Sequence, residues 1–391
     1  MKKVLTGLDR IANGEYRKEL KQLKIGLLAH PASVNSNLVH SFDIFKKLFA
    51  RNIFVLFGPQ HGFFGSTQDN MIECKSKTIQ INSIRIPLYS LYSKERQPTS
   101  LMLKNIDAVV IDLQDIGTRV YTFIQTLYLV MKVCAKEKKK VIVLDRPNPI
   151  SGKVEGPLLE SSYTSFVGFT SIPLRHGMTI GELALFYNDI FKCELMVIEM
   201  VGWKRQMYFE DTGLPWVMPS PNIPTIDTAL VYSGTVIFEG TNVSEGRGTT
   251  RPFEIIGSSG IKNPYQLAYY LNNLHLKGVI FRPLFFEPTF NKYTGKLCGG
   301  VQIHITDIKT YESVLCGIAL LLAFKRYDKN FSWRKPPYEY EYKKLPIDIL
   351  SGSPKLRKMV DSLKTLDEFI AWFEKDISIF KKKCKKYQIY M

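Results

Sequence analysis

Four short apolar runs, separated by longer helical or polar segments, most constrain the fold of the first 150 residues. Each run is continuously apolar, so it matches a strand that is buried on both faces rather than a strand with one face in water. Strands of this kind pair in parallel, and right-handed crossovers between them produce a Rossmann-like doubly wound sheet. The runs are Lys24–His30, Asn52–Gly58, Asp107–Leu113 and Lys140–Asp145.

The fold class that this pattern predicts is α/β, with two domains. We place a Rossmann-like N-terminal domain at residues 1–160 and a C-terminal α/β domain with a helical tail at residues 161–391, because the segment between them, 148–175, is rich in Gly, Pro and Ser. Helices are predicted at 37–50, 122–139, 179–191, 264–274 and 311–326. Further strands are predicted at 195–200 and 300–306, and an amphipathic helical tail, broken near Thr365, at 354–387.

The formal charge of +17 raises the question of an anionic partner. A strong basic balance is typical of proteins that bind nucleic acid, a membrane surface or an anionic substrate. The sequence contains no recognition-helix, zinc-finger or RNA-binding sheet motif, and its densest lysine runs, 138–140 and 381–386, match solvated faces. Nucleic acid is therefore not the expected partner, and steeply salt-dependent binding to DNA or RNA would contradict this prediction.

Neither the cysteines nor the apolar content indicates a secreted or membrane protein. Six cysteines are scattered without metal-ligand or redox spacing, a usage that suits a reducing compartment. The N-terminus has no apolar stretch of signal-peptide length, and no segment approaches the roughly 20 apolar residues that span a bilayer. We therefore predict a cytoplasmic protein with no membrane partner. The oligomeric state stays unknown from the sequence.

Polar loops follow each of the four predicted strands. In a doubly wound sheet the ligand binds beyond the carboxyl ends of the strands, so these loops predict a binding site at one sheet edge. They carry His, Asp, Arg and Asn side chains, although Asp and Asn in such positions also form turns and helix caps. The four loops are 30–33, 58–62, 114–119 and 145–149.

Motifs of several cofactor-dependent classes are absent from the sequence. No G-x-G-x-x-G follows the first strand and no Walker lysine loop occurs, so the sheet does not imply a nucleotide. The G-x-S-x-G nucleophile elbow and the H-E-x-x-H zinc motif are also missing. A zinc site built from His30, His61 and His176 is a weak alternative. We predict neither a metal nor a cofactor.

The most unusual segment is the polar loop Phe238–Glu254. Its three glycines alternate with Glu, Asn, Arg and Thr, so it fits neither a regular helix nor a good strand. This composition suits hydrogen bonding to a polyhydroxyl ligand, and Arg247 or Arg251 could hold a carboxylate through two hydrogen bonds. The alternative is a structural loop that its own salt bridges hold in place.

Long motifs, of which this polar loop is the most specific, resemble the exo-β-N-acetylmuramidase (NamZ-type) family. The loop is similar to the family block FEGTN-x-SEGRGTT-x-PFE, and residues 5–330 keep the order of the family's motifs. Residues after 330 resemble the family only loosely. The other motifs are Asp112–Thr122 (DLQDIGTRVYT), Leu144–Pro149 (LDRPNP), Arg175–Glu182 (RHGMTIGE), Pro219–Thr225 (PSPNIPT), Pro288–Lys292 (PTFNK) and Cys298–His304 (CGGVQIH).

This resemblance implies an enzyme that releases terminal β-linked N-acetylmuramic acid from the non-reducing ends of peptidoglycan fragments, without a cofactor. It also implies a Rossmann-like domain and a C-terminal α/β domain with the sugar held between them. The lactyl carboxylate of the sugar gives a physical reason for arginines in the cleft. The substrate-binding residues expected from the loops and motifs are Arg119, Tyr121, Arg146, Asn148, His176, Asn222, Glu239, Asn242, Arg247 and Arg251.

One departure from the family pattern concerns the catalytic carboxylate. Family members carry Pro-Glu-His-Gly after the second strand, whereas this chain has Gln60 and then His61. An amide has no acidic proton near neutral pH, so Gln60 cannot protonate a leaving oxygen. The acid has moved to Asp69 or Glu73, or the chain has an altered reaction, or it binds sugar without turnover. The catalytic set predicted on this basis is Gln60, His61, Asp69, Glu73, Asp115 and Glu245.

Overall fold

A computed structural model describes residues 3–65, 72–73, 75–81 and 84–391 of the chain. The strands in this part are β1 (Ile25–Ala29), β2 (Ile53–Gly58), β3 (Lys77–Ile81), β4 (Ile84–Ser90), β5 (Ala108–Asp112), β6 (Lys140–Leu144), β7 (Glu155–Leu158), β8 (Pro173–Arg175), β9 (Leu195–Ile198), β10 (Ile255–Ser258), β11 (Val279–Phe286) and β12 (Cys298–Ile305). The helices are α1 (Gly7–Ala12), α2 (Arg17–Lys21), α3 (Ser41–Phe49), α4 (Ser100–Leu103), α5 (Phe123–Lys136), α6 (Ile180–Phe191), α7 (Ile226–Thr235), α8 (Pro264–Asn272), α9 (Ser313–Tyr327), α10 (Pro346–Ser351), α11 (Lys355–Asp361) and α12 (Leu366–Cys384).

The central sheet has the strand order β3-β4-β2-β1-β5-β6-β9. Its neighbouring strands are parallel, except for β3, which pairs antiparallel with β4 at the edge. The chain moves outward from β1 to β2 and β4 on one side, and then to β5, β6 and β9 on the other, which is the doubly wound arrangement. The predicted fold class is confirmed, and the four strands predicted from apolar runs begin and end within one residue of their predicted bounds.

The helix α6 and the strand β9 belong to this central sheet, whereas the sequence pattern placed both in the second domain. β9 pairs in parallel with β6, so that Val141 lies beside Leu195 and Leu144 beside Ile198. α6 packs against α5, β6 and β9. The sheet therefore extends beyond residue 160, because the Gly- and Pro-rich segment after β6 is part of one more crossover and not the end of the sheet.

The rest of the chain packs helices against a three-stranded antiparallel sheet, in which β12 lies between β10 and β11. α7 and α9 cross closely at two glycines. A Cβ added to Gly317 would lie 2.1 Å from the carbonyl oxygen of Gly234, so a larger residue would force the helices apart. β7 and β8 form a short antiparallel pair that α12 covers.

One hydrophobic core runs through both parts of the chain. It includes Val109 of β5, Leu127 of α5, Leu320 of α9 and Phe369 of α12, all of which are fully buried. Burial of apolar surface of this extent is the main force that holds the two sheets together. The loops at the carboxyl end of the central sheet are thereby held against loops from the second half of the chain.

The helical tail breaks where the sequence pattern predicts. α11 ends at Asp361 and α12 begins at Leu366, after Thr365. The Thr365 side chain and Glu368 form a reciprocal capping box, which satisfies backbone amides at the start of α12. Across the described ranges, no helix combines the length and the apolar character that crossing a membrane would require.

Candidate active site

A pocket of about 430 Å³ opens beyond the carboxyl ends of β2 and β5. Its remaining walls come from the segment before α7, from α7 itself, from the polar loop 238–254 and from a turn near residue 339. The chain thus contributes to it from both halves. Its lining includes Gln60, His61, Val120, Tyr121, Thr122, Val167, Ser220, Asn222, Ile223, Tyr232, Glu239, Arg247, Phe253, Tyr338 and Glu339.

The structure brings together six of the residues predicted for the site: Gln60, His61, Tyr121, Asn222, Glu239 and Arg247. They come from loops that are up to about 190 positions apart in the sequence (60 to 247), so only the fold makes them neighbours. The predicted edge of the sheet is therefore the correct place for the pocket, although only part of the predicted residue set lies there.

Arg247 anchors the charged wall of the pocket. Its Nη2 donates a hydrogen bond of 2.7 Å to Oε1 of Glu239, and its Nε lies 3.3 Å from Oε1 of Glu245. Burial disfavours the charged guanidinium, but the two carboxylates outweigh burial and raise the pKa of Arg247 above its ordinary value. The pocket therefore contains a permanent cation on a side chain that has five donors.

Glu245 supports this wall from behind. It does not line the pocket, and its Oε2 accepts a hydrogen bond of 2.7 Å from Nζ of Lys292. Burial opposes ionisation of Glu245, but Lys292 and Arg247 outweigh it, so the pKa of Glu245 is lowered. Glu245, which the sequence suggested as a catalytic carboxylate, therefore contacts Arg247 from outside the pocket lining.

The turn at Tyr338–Glu341 presents a second carboxyl group to the pocket. The backbone amide of Tyr338 donates to the carbonyl of Glu341, and the amide of Glu341 donates to the carbonyl of Tyr338, each at 2.9 Å. The two central residues, Glu339 and Tyr340, have φ values of 43° and 66°. Turns of this shape normally use Asn and Gly, so two large side chains here are strained, and strained residues cluster at functional sites.

Glu339 is almost fully buried, and its environment favours the protonated form. Burial is the largest influence and raises the pKa of Glu339 to about 7, and the charge of Glu239 acts in the same direction. A hydrogen bond of 2.8 Å from the hydroxyl of Tyr92 to Oε2 of Glu339 opposes this shift. Near neutral pH the side chain can therefore donate or accept a proton.

Glu239 has different contacts from those of Glu339. One of its oxygens accepts from Arg247, and the other accepts a hydrogen bond of 2.5 Å from the hydroxyl of Tyr338. The pocket thus holds one carboxylate that is paired with a cation and one buried carboxyl group whose pKa is raised. Two titratable groups in contrasting environments are the usual arrangement for an acid and its partner in a hydrolytic site.

The Gln60 side chain is fixed at the pocket wall. The hydroxyl of Thr122 donates a hydrogen bond of 2.5 Å to Oε1 of Gln60, which is 7% exposed. The next residue, His61, has a positive φ of 68°, which sets the direction of the loop after β2. Gln60 can accept and donate hydrogen bonds to a ligand there, but it cannot supply a proton.

Three predicted residues lie away from the pocket in a buried structural network. Asp115 accepts hydrogen bonds from the amide of Gly117 at 2.7 Å and from Nε2 of His176 at 3.1 Å. Arg119 is fully buried and donates to backbone carbonyls of three separate segments. These contacts are with the backbone or between Asp115 and His176, and none of Asp115, Arg119 and His176 lines the pocket.

The turn after β6 does not line the pocket either. Arg146 forms two hydrogen bonds to Asp112, at 2.6 and 2.9 Å, and lies beside a different cavity of about 330 Å³. Asn148 donates to the carbonyl of Met178 and accepts from the amide of Ile150, as turn-forming asparagines do. The prediction that this turn shares the pocket is therefore corrected: Arg146 and Asn148 hold loops in place.

The remaining predicted residues are also outside the pocket. Asn242 bonds to the backbone of Asn330 and Ser332, and Arg251 is half exposed and pairs with Glu254 at 3.2 Å. Arg251 thus fits the alternative of a loop held by its own salt bridges. Glu73 is exposed and lines a separate depression at the β4 edge, and Asp69 lies outside the described residues.

The sequence interpretation missed five polar pocket residues: Thr122, Ser220, Tyr232, Tyr338 and Glu339. For Glu339 a signal was present in the segment Pro336–Tyr342 (PPYEYEY), where tyrosines and glutamates alternate after two prolines. Such a segment is too polar for a core strand, and prolines often introduce turns. Among the described residues, no group of three or more His, Cys, Asp or Glu side chains is arranged to hold a metal.

Comparison with known proteins identifies relatives along the whole chain. The chain is 43% identical to peptidoglycan β-N-acetylmuramidase NamZ of Bacillus subtilis (strain 168), and the match covers 99% of this chain and 92% of that protein. Two DUF1343 family proteins of Bacteroides fragilis have crystal structures with TM-scores of 0.86 and 0.78, at 33% and 28% identity. Each match covers 100% of this chain and 99% of that one.

Family models for the two halves of one enzyme family match in the same order. The model described as exo-β-N-acetylmuramidase NamZ, N-terminal, matches residues 25–227, and the model described as its C-terminal counterpart matches residues 230–390. Together with the B. subtilis relative, these matches span the segments that form both walls of the pocket. They confirm the family resemblance expected from the motifs. The chain belongs to the exo-β-N-acetylmuramidase NamZ family.

Proposed function

We propose that this chain is an exo-acting glycoside hydrolase that releases terminal β-linked N-acetylmuramic acid from peptidoglycan fragments. The observation that carries the proposal is a single pocket in which Glu339, with its pKa raised to about 7, lies with Glu239 and Arg247. The name of the B. subtilis relative, a peptidoglycan β-N-acetylmuramidase, supports the same reaction for this chain.

The chemistry of the pocket suits one acidic amino sugar. Tyr121, Tyr232 and Phe253 offer aromatic surface to the apolar face of a pyranose ring. Arg247 supplies the positive charge that the lactyl carboxylate of N-acetylmuramic acid requires, and a guanidinium can serve this carboxylate while it keeps its bond to Glu239.

Glu339 is the general acid in this proposal. Its proton goes to the glycosidic oxygen as the bond from that oxygen to C1 of the sugar breaks, and water supplies the new hydroxyl group at C1. Glu239 supplies the second carboxylate, on the face of the sugar opposite the leaving oxygen. It takes a proton from the attacking water in an inverting reaction, or bonds to C1 first in a retaining reaction, in which Glu339 then activates the water.

The assay that tests the proposal measures release of N-acetylmuramic acid from N-acetylmuramyl-β-1,4-N-acetylglucosamine. We expect hydrolysis, and we expect the matched disaccharide without a lactyl group to react at least roughly 100-fold more slowly, because Arg247 then faces no carboxylate. Equal rates for both disaccharides would contradict the role of Arg247. A protein that remains inactive even as Gln60→Glu would contradict hydrolysis itself.

The amide at Gln60 favours a second candidate function, which is binding of muramyl sugars without turnover. This alternative predicts that N-acetylmuramic acid raises the melting temperature of the protein, since a ligand that binds only the folded state stabilises it. It also predicts that no product forms from the disaccharide over the same period. The melting temperature and the product assay together therefore distinguish hydrolysis from binding alone.

The raised pKa of Glu339 predicts a pH dependence of kcat/KM. Only the protonated carboxyl group can donate, so activity falls as the pH rises through about 7. The bond from Tyr92 stabilises the ionised form, so Tyr92→Phe raises the pKa of Glu339 and shifts this basic limb to higher pH. The control is Tyr390→Phe, which removes a hydrogen bond of 2.6 Å to Asp145, a buried carboxyl group outside the pocket whose pKa is also raised to about 7.

A basic limb that stays in place in Tyr92→Phe, or one that moves in Tyr390→Phe, would show that Glu339 does not control it. The pH profile should be recorded as kcat/KM, because this parameter reports groups of the free enzyme. The melting temperature of each variant, measured across the same pH range, separates loss of activity from loss of fold.

A cytoplasmic location is part of the proposal. The cysteines among the described residues are buried and unpaired, and burial raises the pKa of the Cys134 and Cys316 thiols to about 12. Thiols that are neither paired nor reactive suit a reducing compartment.

A further inference from the structure

A second pocket, of about 920 Å³, meets the candidate active site at Glu339. Its walls come from the segments 94–97 and 164–169 and from the turn at 339–341. Glu339 lines both pockets, and on the facing wall Val167 lines the first pocket while its neighbour Phe166 lines the second. The two pockets are therefore adjacent, and they share the residue Glu339.

The second pocket has an aromatic wall with unused hydrogen-bonding atoms. The guanidinium carbon of Arg96 lies 3.2 Å from the ring centroid of Tyr340 and 5.7 Å from that of Phe166. Within the described part of the chain, the buried Nε of Arg96 and the buried hydroxyl of Tyr340 have no hydrogen-bond partner. Buried polar atoms normally have partners, so these two atoms are available to bond to a polar ligand.

The charges around this pocket largely cancel. Lys94 and Arg96 are balanced by Glu95 and Glu341, and Glu341 already accepts hydrogen bonds from the backbone amides of Lys343 and Lys344. A strongly charged ligand would gain little here. The combination of aromatic surface, a planar guanidinium and unpaired polar atoms instead suits a neutral pyranose with hydroxyl and amide groups.

The position of Glu339 assigns a role to this second pocket. In a glycosidase the general acid must reach the oxygen that joins the terminal sugar to the rest of the substrate, so it lies between the sites for these two parts. We infer that the second pocket is the subsite for the leaving group, which is a neutral N-acetylated pyranose that packs against Tyr340 and Phe166 and bonds to Arg96. This inference rests on the proposed function, because it takes the first pocket as the site of the terminal sugar.

The test compares two substrates that differ only in their leaving groups. One is N-acetylmuramyl-β-1,4-N-acetylglucosamine, and the other is methyl N-acetyl-β-muramide, whose leaving group has no ring to fill the second pocket. The measured quantity is the ratio of kcat/KM for the disaccharide to kcat/KM for the methyl glycoside. In Arg96→Met we expect this ratio to fall roughly 10- to 100-fold, with weaker product inhibition by N-acetylglucosamine.

The ratio separates binding of the leaving group from an indirect effect on the acid. Arg96 also influences the pKa of Glu339, but both leaving groups are alcohols that need protonation, so a change in that pKa alone acts on both substrates in the same direction and changes the ratio far less. The matched control is Arg326→Met, which removes an arginine that lies 5.2 Å from the ring centroid of Tyr270, outside both pockets. This control should keep the ratio of the native protein.

A second variant, Arg96→Lys, controls for misfolding of Arg96→Met. Arg96→Lys keeps the charge but loses the planar guanidinium, so it should lower the ratio in the same direction while the melting temperature stays near that of the native protein. If both variants keep the native ratio, the leaving-group subsite is overturned while the proposed function stands. If the native protein cleaves neither substrate, the proposed function and this subsite are both overturned.

Discussion

Replacing Glu339 by Gln is expected to lower kcat/KM for N-acetylmuramyl-β-1,4-N-acetylglucosamine by roughly 10²- to 10⁴-fold, the usual contribution of a general acid. The amide has nearly the same size and can still accept a hydrogen bond from Tyr92, but it has no proton to give to the leaving oxygen. The measurement is steady-state hydrolysis of the disaccharide near pH 6, where burial keeps most of the Glu339 carboxyl protonated.

The loss should depend on the leaving group. A p-nitrophenyl glycoside releases a stable anion that needs little protonation, so Glu339→Gln should be far less damaging with this substrate. The matched control is Glu368→Gln at the start of α12, whose carboxylate lies outside both pockets and accepts a hydrogen bond from the backbone amide of Thr365. An equal loss with both substrates would show that Glu339 supports the site without donating the proton.

Glu339 is suited to act as the acid because of its environment rather than its residue type. Glu239 lies in the same pocket, but its two oxygens accept hydrogen bonds from Arg247 and Tyr338. Glu339 accepts a hydrogen bond from the hydroxyl of Tyr92, and it is buried near the charge of Glu239. Burial and a nearby negative charge both favour the protonated form of a carboxyl group.

The central sheet was predictable because its signal is local. A run such as Val109–Ile111 is apolar at every position, and only a strand covered on both faces uses such a run efficiently. The assignment of β9 to the same sheet was not predictable from periodicity. Whether the next strand joins an existing sheet or begins another depends on packing between α5 and α6, which the pattern of one strand does not record.

The candidate site was predictable only in part, because the same residue types serve ligands and the backbone. Glu239 and Arg247 were expected at the pocket and lie there, whereas Asp115 and Asn148 were expected for equally good reasons and instead fix turns. A polar side chain in a loop does not reveal from sequence which atoms it will face. Glu339 was missed because its turn reaches the pocket only through long-range packing of the second half of the chain.

The Arg119→Met variant is expected to lose roughly 2–4 kcal/mol of unfolding free energy, while the KM of the remaining folded protein stays near the native value. Arg119 is fully buried, and its guanidinium donates to the carbonyl oxygens of Pro157 at 3.1 Å, Ile172 at 2.9 Å and Leu350 at 2.7 Å. Methionine fills similar volume but leaves these three acceptors without their donor. Removal of a buried charge offsets part of this penalty, since burial already lowers the pKa of Arg119 to about 9.

Urea denaturation distinguishes this structural role from the substrate-binding role that the sequence suggested for Arg119. The midpoint should fall with an unchanged slope, because the variant alters stability and not the surface exposed on unfolding. Arg251→Met, which removes a half-exposed arginine paired with Glu254, should cost less than about 1 kcal/mol. If Arg119→Met instead kept its midpoint and raised KM, the guanidinium would be acting on the sugar.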